Sequence, residues 1–219
     1  SIVVALKDCI KSGNLKFSTT PPSNGCSYWI IAISYFPGDK SHYLRVLDII
    51  SGIKNSPPTI MIRGTIPVGY LSRTLLPALE KKFNSKVDKN FFLASAPERS
   101  LSGAALEELE DLPQIIAGSF ESFKRASLIF EKSGIECIHL SILEAGEIAK
   151  TFTNFARLVQ FNLSNYLGTL CHEFGISEEI MFQSVKQGYP RLNFLSKPGP
   201  GVGGFCLPKD SLVLYDKKL

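Results

Sequence analysis

Cys206 stands between a glycine-rich run, Pro198-Gly199-Pro200-Gly201-Val202-Gly203-Gly204-Phe205, and the tetrapeptide Leu207-Pro208-Lys209-Asp210. Glycines so closely spaced let the backbone approach a ligand and turn N–H groups toward phosphate or sugar. Pro208 suits the first turn of a helix, so the spacing predicts a helix that begins just after the cysteine and lowers the energy of its thiolate. That combination describes a reactive thiol. Read on its own, the same run is equally a Gly/Pro-rich turn with a buried cysteine, since free cysteine is often only a small apolar side chain. Two other sets could act with it. Lys150 and Asn154 lie four residues apart, on one face of a predicted helix, and could donate to a developing negative charge. Asp210 and Glu98 could orient or deprotonate water, with Glu98 alternatively a solvated acid paired to Arg99.

The elements that must position these groups alternate. Apolar runs Tyr28–Ser34, Thr59–Ile62, Phe91–Ala94, Gln114–Ala117 and Glu136–Leu140 read as short buried strands of a largely parallel sheet. Helical patterns fall at 2–11 and, between strands, near 41–53, 68–83 and 120–133, as in a doubly wound α/β fold. Thr65 follows the second of these strands, at the carboxyl edge where such folds contact ligands. From about Ala145 to Phe174 the apolar spacing predicts one helix of roughly 30 residues, and Ser177–Gln187 a second with Ser177 as its N-cap. The division expected is 1–142 for the α/β part and 143–219 for an all-α part that carries the cysteine loop.

Taken in order, Gly64-Thr65-Ile66-Pro67-Val68-Gly69, Ala96-Pro97-Glu98-Arg99, Glu147-Ile148-Ala149-Lys150 with Asn154 and Asn165, Tyr189-Pro190-Arg191-Leu192-Asn193 and Gly203-Gly204-Phe205-Cys206-Leu207-Pro208-Lys209-Asp210 resemble the nucleotide-sugar 6-dehydrogenases, the UDP-glucose and UDP-N-acetylhexosamine enzymes. The resemblance implies a partial Rossmann-like sheet followed by a helical dimerisation domain, NAD as cofactor and a UDP-sugar as substrate. Its implied reaction is oxidation of the sugar C6 alcohol to the acid in two hydride transfers through a cysteine-bound intermediate, with products feeding surface polysaccharide synthesis. By the same resemblance Cys206 is the nucleophile, Lys150 and Asn154 stabilise the alkoxide and tetrahedral species, and Asp210, Thr65 and Glu98 form the water network. Arg191, Asn165, Phe194, Gly203 and Gly204 contact the substrate, with Arg191 crossing to the partner of a homodimer, and Thr65 and Lys209 adjoin the cofactor.

Departures accompany the likeness. Ser34-Tyr35 stands where the family has Pro-Thr, Ser102 replaces a glutamate, Gly64 replaces a serine, and no G-x-G-x-x-G joins a strand to a helix, the spacing at Gly199–Gly204 following no predicted strand. Family members carry that fingerprint ahead of the matched region and a further α/β domain after it, so the resemblance implies a truncated chain that by itself is inactive and binds NAD poorly. The competing reading is a non-catalytic dimerisation module. A Cys-x5-Arg phosphatase loop is excluded, because Leu212 occupies the arginine position.

Composition narrows the remainder. The net charge of +4 is scattered, which argues against nucleic acid. Five dispersed cysteines with no C-x-x-C pair and only three histidines indicate neither a disulfide framework nor a metal site, and fit a reducing cytoplasm. The apolar run Trp29–Ile33 is too short to span a bilayer.

Overall fold

The computed structural model describes residues 2–19, 26–33, 35, 48, 58–101, 103 and 105–215. After α1 (Ile2–Lys11), strands β1 (Tyr28–Ile31), β2 (Thr59–Ile62) and β3 (Phe92–Ser95) form a parallel ladder. A π-turn, Leu71–Leu75, runs into α2 (Leu76–Phe83) between β2 and β3. Next come α3 (Ala105–Asp111), β4 (Gln114–Ala117), α4 (Phe120–Glu131) and β5 (Cys137–Leu140), the last pairing parallel to β4. Apart from Asp48, which is helical, the expected helix near 41–53 lies outside the described residues, as do Ser34 and Ser102.

Alternation along the strands explains the layering. Ile60, Ile62 and Leu93 point into one core with Leu71, Leu75 and Leu79, whereas Met61 and Ala94 point into another with Ile116, Ala126 and Phe130. Strands covered on both faces have no reason to alternate polar and apolar residues, which is why they read as continuous apolar runs. Ser119 caps α4 by accepting the Ser122 N–H.

The sheet is not parallel throughout. β3 and β4 meet antiparallel, through the single pair Ser95 and Ala117. The reason is the connection. The two ends of the connection meet beside the carboxyl end of β3, where Arg99 donates to the Pro113 carbonyl and Gln114 Nε2 to that of Pro97, so the chain enters β4 from that end and runs back.

The remaining elements are helical. α5 (Leu143–Glu173) is followed by α6 (Glu178–Lys186), a 3₁₀ turn (Pro190–Leu192) and α7 (Cys206–Tyr215), with α7 packed along α5. Ser177 caps α6, as the sequence predicts. Among the described residues no helix is long and apolar enough to cross a membrane, and no cluster of His, Cys, Asp or Glu could hold a metal ion.

α5 starts where the two directions of the sheet meet. A Cβ placed on Gly146 would lie 2.5 Å from Ser95 Oγ, 2.7 Å from Ser95 Cβ and 3.0 Å from Ala117 Cβ. Only glycine lets the helix sit that close. Gly146→Ala, which in an open helix stabilises by about 1 kcal/mol, is expected here to cost about 1–3 kcal/mol by forcing α5 off the sheet. Urea denaturation of the two proteins measures the difference, and an unchanged or higher midpoint would contradict the contact.

Candidate active site

Thr65 is positioned from the backbone outward. The Arg63 N–H donates to the Ile31 carbonyl and the Tyr35 N–H to the Thr65 carbonyl at 2.7 Å, which stitches the segments after β1 and β2 together. The Thr65 side chain is thereby buried facing α7. Its hydroxyl donates to Asp210 Oδ2 at 3.3 Å, and Asn154 Nδ2 on α5 donates to the same oxygen at 2.6 Å. The other oxygen, Oδ1, lies 2.6 Å from Lys209 Nζ. Asp210 is 1% exposed, so this carboxylate is a buried junction between three segments. A buried charge persists only when paired and hydrogen-bonded, and Asp210 is both.

Lys150 lies one turn of α5 before Asn154 and borders the same junction. Burial pushes its ammonium below the ordinary range, the negative charges of Asp210 and Cys206 act the other way, and Lys209 and Arg99 reinforce the lowering. Cys206 is the first residue of α7 and is exposed, four residues and hence one turn before Asp210. The sequence places the cysteine just ahead of the helix; in the structure it opens it, with Pro208 in the first turn. Gly201 and Gly204 adopt φ of 138° and 86°, so the loop before the cysteine does use conformations reserved for glycine. Gly203 and Gly204 are exposed beside it, and Lys209 Nζ stands 5.7 Å over the Phe205 ring.

Cys206, Lys150, Asn154, Asp210, Thr65 and Lys209 are thus brought together. The other candidates are placed elsewhere or otherwise engaged. The Glu98 carboxylate pairs with Arg63, not Arg99, and accepts the Ser100 N–H at 2.9 Å. Arg63 itself donates to Gln114 Oε1 at 2.9 Å and lies under the Phe130 ring, and burial lowers its pKa from the ordinary value. Asn165 accepts the Gly199 N–H at 2.8 Å and so anchors the glycine-rich loop to α5, beside a groove of about 340 Å³ that His172 and Glu178 also line. Phe194 is half exposed and borders a groove of about 650 Å³ with Phe152, Phe155 and Val159 of α5. Arg191, on the 3₁₀ turn, is exposed with its guanidinium 5.2 Å over Tyr189.

Sequence reading gave no role to Glu147, although it opens the block that ends in Lys150. Its carboxylate is 2% exposed and accepts backbone N–H groups from Gly69 and Leu71. The signal available was its spacing, three residues before Lys150 and on the same helix face.

Residues 3–132 match the NAD-binding domain, and residues 144–218 the central domain, of the UDP-glucose/GDP-mannose dehydrogenases. The chain belongs to that family. It is 32% identical over 225 residues to a UDP-N-acetyl-D-mannosamine dehydrogenase of Methanocaldococcus jannaschii, covering 99% of this chain and 50% of that protein. An NDP-N-acetyl-D-galactosaminuronic acid dehydrogenase of Ralstonia nicotianae is 28% identical, covering 96% of this chain and 52% of the relative. The solved UDP-D-ManNAc dehydrogenase of Pyrococcus horikoshii superposes with a TM-score of 0.85 at 28% identity, over 98% of this chain and 52% of that one. The chain spans about half the length of the relatives it matches. The cofactor of the matched N-terminal domain is NAD. Thr65 and Lys209 suit its neighbourhood, a hydroxyl just beyond the carboxyl end of β2 and a cation beside it, both already drawn inward by Asp210.

Removing the junction should be costly. Asp210→Ala leaves the Lys209 ammonium and the Asn154 amide buried without their acceptor, an expected loss of about 3 kcal/mol. Asp210→Asn, which keeps one acceptor oxygen, should lose less. Guanidinium unfolding of both variants checks the order, and equal wild-type midpoints would show that the carboxylate does not join these segments.

Proposed function

We propose that the protein of which this chain is part oxidises the C6 alcohol of a UDP-sugar to the uronic acid, with Cys206 as the covalent nucleophile. The observation that carries this is the buried Asp210 junction, which sets Asn154, Thr65 and Lys209 around one carboxylate with Lys150 bordering it and the exposed thiol one turn away. Two NAD, bound one after the other, would each accept one hydride. The protein's own groups do the rest. Lys150 and Asn154 donate to the oxygen of the substrate as its negative charge develops, a contribution of about 3–4 kcal/mol per donor. The Cys206 thiolate adds to the aldehyde carbon to give a thiohemiacetal, and loss of the second hydride turns this into a thioester. Water held by Asp210 and Thr65 gives a proton to the Asp210 carboxylate as it attacks the thioester carbonyl, releasing the acid and the thiolate. Glu98, tied to Arg63, holds the loop that carries Arg99 toward Lys150. The relatives named above act on N-acetylated sugars, which favours a UDP-N-acetylhexosamine over UDP-glucose. On this reading Gly203, Gly204, Asn165 and Phe194 border the substrate, and surface polysaccharide is the destination of the product.

Pairing of two copies along α5 is part of the proposal, and the helix is built inside out in its support. Glu147, Thr151, Asn154 and Ser164 are buried, whereas Ile148, Phe152, Phe155, Val159, Leu163 and Tyr166 are exposed at steps of three or four residues. An apolar stripe of that length in water calls for a partner. A two-fold pair makes the contact self-complementary and lends each copy's Arg191 to the other's site. The same stripe supports the second reading, a module that assembles without turnover.

In the protein with its full natural sequence, Cys206→Ser should lower uronic acid formation on the order of 10³-fold or more while nucleotide-sugar binding persists. Near-normal turnover in that variant removes the cysteine from the mechanism. For the pairing, light scattering across a dilution series should report a dimer, and mixing Arg191→Ala with Cys206→Ser subunits should restore activity, since one of the two sites then carries neither defect. A strictly monomeric protein, or no recovery in a confirmed mixed dimer, would reject it.

A further inference from the structure

We propose that Glu147 is a positioning residue, whose buried carboxylate clamps the segment after Thr65 to the first turns of α5, sets where Lys150 stands, and loosens when it takes a proton. What Lys150 does rests on the function proposed above; the clamp rests on geometry. Both carboxylate oxygens are in use, Oε2 accepting the Gly69 N–H and Oε1 the Leu71 N–H at 2.8 Å. Leu71 opens the π-turn, so these are helix-start donors that no carbonyl within their own helix reaches, and a carboxylate from another element satisfies them. One turn earlier on α5, Glu144 accepts the Ser72 hydroxyl. Two acids of α5 therefore grip residues 69–72.

The grip is transmitted in both directions. Tyr70 and Leu71 are fully buried in the core beside Ile66, which leaves the few residues between Thr65 and Gly69 little freedom. On α5, Lys150 and Asn154 follow Glu147 at intervals of three and seven, on one face. The position of Lys150 relative to Thr65 and Asp210 is thus fixed at one end by Asn154 on Asp210 and at the other by Glu147 on the Gly69 and Leu71 amides.

The clamp has a built-in conflict. Only an ionised carboxylate presents two acceptors to two N–H donors; a protonated one turns an O–H toward a donor. Burial opposes the charge and moves the carboxyl from its ordinary 4.5 up to about 7, against the pull of the Leu71 and Gly69 amides; Glu144 adds to the rise and Arg73 subtracts from it. These are the charged groups that act on it among the described residues. The sheet side presents Ser95 and Ala117 to this turn of α5, neither of them charged. With the folded-state value raised, the group's contribution to stability is complete below about 4.5 and is lost as pH rises through about 7.

The test uses the full natural protein and two readouts. In turnover, the wild type should lose kcat as pH falls through about 7. Glu147→Gln should lower kcat on the order of tenfold, leave both KM values within about threefold, and flatten that limb. Arg73→Gln should move the limb to higher pH and Glu144→Gln to lower pH, so the proposal remains testable if Glu147→Gln does not fold. In thermal unfolding, which needs no substrate, the wild type should lose more stability than Glu147→Gln between about pH 5.5 and about pH 8. Absence of turnover on any UDP-sugar would reject the function and leave the unfolding comparison to decide the clamp. A wild type and Glu147→Gln with the same pH dependence in both readouts, or a limb that neither neighbouring substitution moves, would overturn the proposal.

Discussion

Asp210 is the constraint on which the rest of the molecule turns. A carboxylate with 1% exposure is cut off from bulk water, so donors and a cation must surround it. Those partners come from the segment after β2, from the middle of α5 and from α7 itself. None of the three segments could bury its own polar group alone. The sheet, the long helix and the cysteine-bearing helix are therefore joined by a polar junction beside the apolar core on one sheet face, to which Val213 of α7 and Leu143 of α5 also contribute.

α5 follows from that arrangement. Its inner face must answer carboxylates and amides, which puts Glu147, Thr151 and Asn154 inside and leaves large apolar residues on the outer face. Thr151 and Ser164 return their hydroxyls to carbonyls one turn back, so these two polar side chains of the inner face are satisfied within the helix. Gly146 lets the first turn sit on Ser95 and Ala117, and this brings Glu147 within reach of the π-turn.

Much of this was legible in the sequence. Buried strands announce themselves as continuous apolar runs, and four of the five were placed within a residue of their observed ends; β1 stops at Ile31, earlier than its apolar run suggests. The long helix was read to within two residues at either end because nothing in it breaks the pattern. The antiparallel meeting of β3 and β4 was not legible, since direction depends on which side a connection takes and the strand pattern is the same either way. The alternative pairing of Glu98 with Arg99 rests on adjacency, but extended neighbours point apart, and Arg63 on the adjoining segment faces Glu98 instead. Glu147 went unread because its partners are backbone amides, which carry no residue type to recognise.

The span of the Thr65 to Asp210 contact, 145 residues, bears on how the protein is made. A chain emerging from the ribosome completes the sheet and α5 before α7 exists, so for that interval the inner face of α5 has its donors and no carboxylate to receive them. The outer face is apolar at the same time. Water serves the donors of the inner face in that interval but not the apolar outer face, the condition under which nascent chains associate wrongly. Synthesis of the last ten described residues ends that interval, because α7 brings the acceptor with it. The helix that carries the cysteine thus also supplies the acceptor that α5 awaits, and its arrival couples the maturation of the site to the burial of Asp210.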